Sequence, residues 1–132
     1  MPLREKNLAE AFFFVLFSKK VVTLQLQMEQ TQVIQRITEL GRKILPEGAS
    51  LWLYGSRARG DARPDSDYDL LILLDKDSIS PTDCNQYSYP LFYWGTGIGE
   101  AVNAQLYTKN EWDKWKLTPF NENVEEDKVV LI

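Results

Sequence analysis

Histidine is missing from all 132 residues. That excludes a Ser-His-Asp triad, a Cys-His dyad and any His-ligated zinc site. Cysteine is almost missing: Cys84 stands alone, so no internal disulfide can form, and a reducing, cytoplasmic setting is expected. No apolar run is long enough for a membrane. AFFFVLF, residues 11–17, falls far short of the roughly 20 residues a spanning helix needs. Lys19 and Lys20 follow it with no small-residue cleavage pattern, so no secretory signal is expected. Basic charge is in the minority, 15 Lys and Arg against 19 Asp and Glu, for a net charge of −4 and a pI near 4.9. An extended nucleic acid is a poor fit to such a surface, because phosphate neutralisation needs basic groups. An enzyme built from this inventory works with carboxylates, hydroxyls, Lys or Arg, and a metal.

What is present describes an ordinary globular chain, with 44% hydrophobic and 26% charged residues. The length favours one domain with a modest core. The segment before Met28 lacks clear periodicity and has two readings. It is an N-terminal helix or strand packed on a core or partner, or translation begins at Met28 and residues 1–28 are an extension outside the core; the domain itself is read as residues 29–132. Val33, Ile34, Ile37, Leu40 and Ile44 recur at helical spacing over 29–45, and Pro46 ends that helix. SLWLYG (50–55) reads as a first strand stopped by Gly55. A short helix is expected from Ser56 as N-cap. YDLLILL (68–74) is apolar on both faces, which marks a central strand. Residues 80–94 open on a Ser-Pro helix signal and break near Pro90, GTGIG (95–99) reads as a loop, and AVNAQLYT (101–108) as a third strand. KNEWDKW (109–115) is a helix, followed by a short helix and an apolar tail. The fold class is therefore α/β (α+β), a single small mixed sheet with helices packed on it.

The chemistry gathers in YGSRARGDARPDSDYDLLILLD, residues 54–75. Strand alternation puts Asp67 and Asp69 on one face, at the solvent-accessible end of the central strand. Two carboxylates so close repel each other, and a divalent cation with oxygen ligands resolves the conflict; Mg²⁺ or Mn²⁺ suits a site that also takes phosphate oxygens. The plainer alternative is a solvated acidic turn with Asp65 or Asp67 as a cap. Gly55 permits close backbone approach, and the N–H groups that follow, with the Ser56 hydroxyl, point at an anion. An N-capped turn would need no phosphate at all. Arg57, Arg59 and Arg63 would hold phosphates further out or form ordinary surface ion pairs.

The pattern Gly-Ser, then Asp-x-Asp entering an apolar strand, resembles the signature of the DNA polymerase beta-like nucleotidyltransferase superfamily. More narrowly, Gly-Ser-x-Ala-Arg-Gly at 55–60 and Ser-Asp-x-Asp-Leu at 66–70 resemble the minimal nucleotidyltransferases. LYTKNEW (106–112) and TPFNENV (118–124) also look familial, and the resemblance runs from about residue 29 to the end. It implies a polymerase beta-like palm. It implies transfer of NMP from an NTP, with ATP the first candidate, to a hydroxyl acceptor. Gly55, Ser56, Arg57 and Arg59 would lie on the nucleotide's phosphates, and Asp67 and Asp69 would bind the metal. The family's third carboxylate, on the next strand, falls here at Asn103, which carries no charge and accepts no proton. The plainer alternative is that Asn103 is an ordinary polar strand residue. Glu100 would substitute only if that strand began later. The resemblance further implies a HEPN-domain protein partner, in some pairs as toxin and antitoxin. The aromatics of YSYPLFYW (87–94) would serve such an interface, although core packing is the simpler expectation. A catalytically weak nucleotide-binding, antitoxin-like module is the alternative reading.

Overall fold

A computed structural model describes residues 29–132; the expectations for residues 1–28 lie outside them. Helix α1 occupies 29–44. Its first turns, to Gln35, belong to a different compact unit from Arg36–Ile132, and the second unit holds everything that follows. There the chain runs β1 (Ser50–Tyr54), α2 (Ser56–Arg59), β2 (Tyr68–Leu74), α3 (Pro81–Asp83), one π-helical turn (Cys84–Ser88), α4 (Tyr89–Gly97), β3 (Val102–Thr108), α5 (Lys109–Lys114), α6 (Pro119–Asp127) and β4 (Val129–Val130). The sheet is mixed, in the order β3-β2-β1-β4. β1 runs antiparallel to β2 and β4, while β2 and β3 are parallel.

β2 is internal, as its two apolar faces require, and Leu70, Leu71 and Ile72 are fully buried. Its alternation divides the core. Leu71 and Leu73 pack with Trp112 of α5 and Val124 of α6, flanked by Trp52, Tyr54, Tyr107 and Phe120. Trp112 meets Trp52 edge-on at 6.0 Å, and its indole N–H donates to Glu125 at 2.8 Å. Capping fixes the helix starts. Ser80 and Asp83 form a reciprocal capping box with Pro81 in the first turn, and Thr108 and Thr118 cap α5 and α6.

Four expectations change. The helix starting at Ser56 is capped by Gly55, with no side-chain hydrogen bond, so Ser56 is the first helical residue. GTGIG is no loop from its start, since α4 runs on to Gly97. The reason is Gly95: a Cβ there would stand 2.5 Å from Val102 Cγ2 and 2.9 Å from the Glu100 carbonyl, so the glycine lets α4 sit tightly on β3. The apolar tail is an edge strand: Leu131 N–H donates to the Leu51 carbonyl at 2.8 Å and Leu51 N–H to the Ile132 carbonyl at 2.9 Å. Finally, YSYPLFYW is not core. Leu91 is fully buried, but Tyr89, Phe92 and Tyr93 are 47%, 44% and 67% exposed. A nine-residue helix on one side of a sheet turns only one stripe inward, and Leu91 and Gly95 are that stripe. Among the described residues no helix is long and apolar enough to cross a membrane.

Candidate active site

The site forms where β1 ends, β2 begins and β3 runs alongside. Strand register sets it. Asp69 pairs with Tyr54 on one side and with Asn103 on the other. Because β3 starts at Val102 and no later, Asn103 holds the place beside the two aspartates. Glu100 stays outside the strand, its N–H bound to the Gly95 carbonyl at 2.9 Å. The Asn103 amide donates to Asp67 Oδ2 at 3.0 Å. Among the described residues no group of three or more His, Cys, Asp or Glu is arranged to hold a metal, so the cluster is two carboxylates and an amide.

Gly55 closes the cluster from the β1 side. Its φ is +74°, a region where glycine is favoured. A Cβ on Gly55 would lie 2.7 Å from Asp69 Oδ2. The turn is therefore folded onto the carboxylate, and a side chain at 55 would occupy its space. Gly55→Ala should destabilise the protein by about 1–3 kcal/mol through strain and clash together, read as a lowered denaturation midpoint. A midpoint unchanged from wild type would mean the turn is not pressed against Asp69.

Electrostatics agree with the packing. Burial, and next the negative charge of Asp67, push the Asp69 carboxyl up from the ordinary carboxylate range, while Arg59 partly pulls it back. Tyr54 beside it is pushed up to about 12, by burial first, then by Asp69 and Tyr107. A pair of carboxylates held together at energetic cost, with oxygen donors and a glycine that makes room, fits a hard divalent cation.

The arginines diverge. Arg57 is turned inward and only 8% exposed. Its Nε and Nη2 donate to the Ser66 carbonyl at 3.2 and 3.0 Å, Nη2 also donates to the Pro64 carbonyl at 3.2 Å, and the guanidinium lies 4.4 Å from the Tyr68 ring centre. It braces the loop that carries Asp67. Arg57→Met should cost about 2–3 kcal/mol of stability by stranding those carbonyls, measured by chemical denaturation. Lost nucleotide affinity at unchanged stability would instead assign Arg57 to the phosphates. Arg59 is exposed and ion-paired to Asp127 at 2.7 Å and Asp61 at 3.2 Å. Arg63 and Asp65 are exposed in the loop, whose turn is held by Arg63 N–H donating to Ser66 Oγ at 2.8 Å.

Sequence reasoning missed Tyr54 and Gln105. Gln105 is exposed one step along β3 from Asn103 and accepts from the Tyr107 hydroxyl at 2.9 Å. The signal was there: Asn103, Gln105 and Tyr107 alternate at strand period, which marks one polar face.

Residues 31–131 match the sequence profile of the nucleotidyltransferase domain. The chain belongs to the nucleotidyltransferase domain family. The matched span contains the whole cluster, and the DNA polymerase beta-like resemblance of the Gly-Ser and Asp-x-Asp motifs stands. The fold of this nucleotidyltransferase domain is shared with two crystal structures. One is a toxin-antitoxin with AMP-PNP, at 18% identity and a TM-score of 0.52. The other is a mutant of the toxin-antitoxin MntA-HpeT, at 16% and 0.51. Each match covers 75% of this chain and 72% of the other. No curated protein matches the nucleotidyltransferase chain in sequence.

Proposed function

We propose that this nucleotidyltransferase moves NMP from an NTP, ATP first, to a hydroxyl acceptor, and that the acceptor belongs to a HEPN-type partner protein in a cytoplasmic toxin-antitoxin pair. One observation carries the transfer reading: Asp67, Asp69 and Asn103 converge beside the Gly55-Ser56 turn. The partner rests on the family resemblance and on fold neighbours that are toxin-antitoxin structures.

Asp67 and Asp69 would hold Mg²⁺ or Mn²⁺, which when bound neutralises phosphate charge and acidifies the attacking hydroxyl. The backbone N–H groups after Gly55 and the Ser56 hydroxyl would take phosphate oxygens. Arg59 would offset charge on the leaving phosphates. In the reaction a bond forms from the acceptor oxygen to the α-phosphorus. The bond to the bridging oxygen breaks, pyrophosphate leaves, and the hydroxyl proton passes to the exposed Asp67 carboxylate or to water. Asn103 cannot take it, so its part is to orient Asp67 through the amide hydrogen bond. Positioning and charge stabilisation supply most of the acceleration in phosphoryl-type transfer.

That same hydrogen bond favours a second reading, a nucleotide-binding module with weak catalysis that works by docking on its partner. Incubation with α-labelled ATP and Mg²⁺, with and without a HEPN-type protein, separates the two. Label on the partner supports transfer. Mg-ATP binding with no label on any hydroxyl-bearing protein offered supports the binding module.

A further inference from the structure

We propose that Asp127 is a positioning residue: with Asp61 it clamps the Arg59 guanidinium at the mouth of the site, in place for the outer phosphates of the NTP. The inference rests on the nucleotide-binding reading above and adds a residue that neither the Gly-Ser nor the Asp-x-Asp motif contains.

Three observations carry it. The first is geometry. Arg59 Nη1 donates to Asp127 Oδ2 at 2.7 Å and Nε donates to Asp61 Oδ2 at 3.2 Å. The two bonds approach the guanidinium from different atoms and fix its plane. A guanidinium has more N–H donors than these two bonds use, so the clamp leaves donors for a ligand. The second is placement. Arg59 ends the short helix that starts at the Gly55-Ser56 turn, whereas Asp127 lies 68 residues further along the chain, at the end of α6. The pair ties the turn to the C-terminal helix. The third is that Asp127 sits where a carboxylate is locally disfavoured. The negative end of the α6 dipole faces it, and its side chain is only 15% exposed. Arg59 is what balances that charge.

An ion pair with one exposed partner adds little to stability. What it adds here is orientation. A free arginine side chain loses much rotamer entropy when it takes hold of a phosphate, and a clamped one has lost it before the ligand arrives. The position also suits the charge pattern, since Arg59 is close enough to the aspartate pair to oppose the rise of Asp69.

The test is calorimetric titration of the full-length chain with Mg-ATP. Asp127→Asn should weaken binding about fivefold. Asp127→Glu, which keeps the charge and can still reach Arg59, should recover most of that loss. In an Arg59→Ala background, Asp127→Asn should change affinity no further, because Asp127 acts through Arg59. Unchanged or tighter binding in Asp127→Asn overturns the proposal, and so does an undiminished loss in the Arg59→Ala background. Asp69→Asn, titrated alongside, separates the two levels. If wild-type binding is indifferent to Asp69→Asn, the nucleotide-site reading itself fails. If Asp69→Asn abolishes binding while Asp127→Asn leaves it intact, only the clamp fails.

Discussion

Asp69→Asn should lower Mg²⁺-dependent ATP affinity about 10²-fold or more while raising the melting temperature of the metal-free protein. Both effects have one cause. Asp69 is half-buried beside Asp67, and its carboxyl is pushed up by burial first and by that neighbour second. The ionised form is therefore less stable in the folded chain than in the unfolded one. A cation needs that charge, and loss of a metal ligand costs at least as much as the 10–100-fold typical of groups that merely support ligands. Without the cation the charge is a burden. Relief of a like-charge pair at a partly exposed site is worth about 0.5 kcal/mol, or roughly 2–4 °C in a domain of this size. The pH dependence follows in sign. Because the folded-state value is raised, the burden is full above it. It fades as pH falls through that value towards the ordinary unfolded one, where both states are protonated. The Asn variant should thus lead wild type at neutral pH, and the gap should close in acid. Thermal melts in chelator across pH, with Mg-ATP calorimetry, read both halves. A variant that binds Mg-ATP as wild type does would remove Asp69 from the metal site.

The fold was legible where local chemistry and tertiary demand agree. β2 announces itself by apolar residues on both faces, and it has neighbours on both sides, β3 and β1. The α3 start reads from Ser80 and Pro81 because a cap satisfies backbone donors within one turn. What was missed depends on contacts distant in sequence. Val129 and Val130 form a strand only because β1 offers an open edge. Gly95 looks like a loop residue until Val102 stands against it. The aromatic run of α4 carries no mark of which ring faces out, since Tyr, Phe and Trp are apolar enough for either side. The site divides the same way. Gly55, Asp67 and Asp69 stand out by spacing alone. That Arg57 faces inward and Arg59 outward follows from a four-residue helix that separates their directions, and the Asp127 pairing spans most of the domain.

Asn103→Asp should accelerate nucleotidyl transfer by roughly 10² or more, the order of effect that one well-placed charge has on a developing transition state. The strand register puts residue 103 directly beside Asp69, and the amide already reaches Asp67. A carboxylate there would complete a three-carboxylate set and supply an acceptor for the hydroxyl proton. Its cost shows in the metal-free protein. The favourable amide-to-carboxylate hydrogen bond becomes a third negative charge against Asp67 and Asp69, so the melting temperature should fall in chelator. Mg²⁺ should restore it, because a cation that binds only the folded form stabilises by RT ln(1 + [Mg²⁺]/Kd). Wild type should show a smaller Mg²⁺-dependent rise. The rate is measured as NMP incorporation into a HEPN-type partner at saturating NTP, and the melts use the same two proteins. Vigorous wild-type transfer with no gain in the variant would show that an amide suffices at this position. Glu100 would not inherit the role, because its backbone is tied to Gly95 outside the strand. A variant that gains Mg²⁺-dependent stability yet transfers nothing to any partner would place the chain with the binding modules, with a metal site rebuilt but no acceptor presented to it.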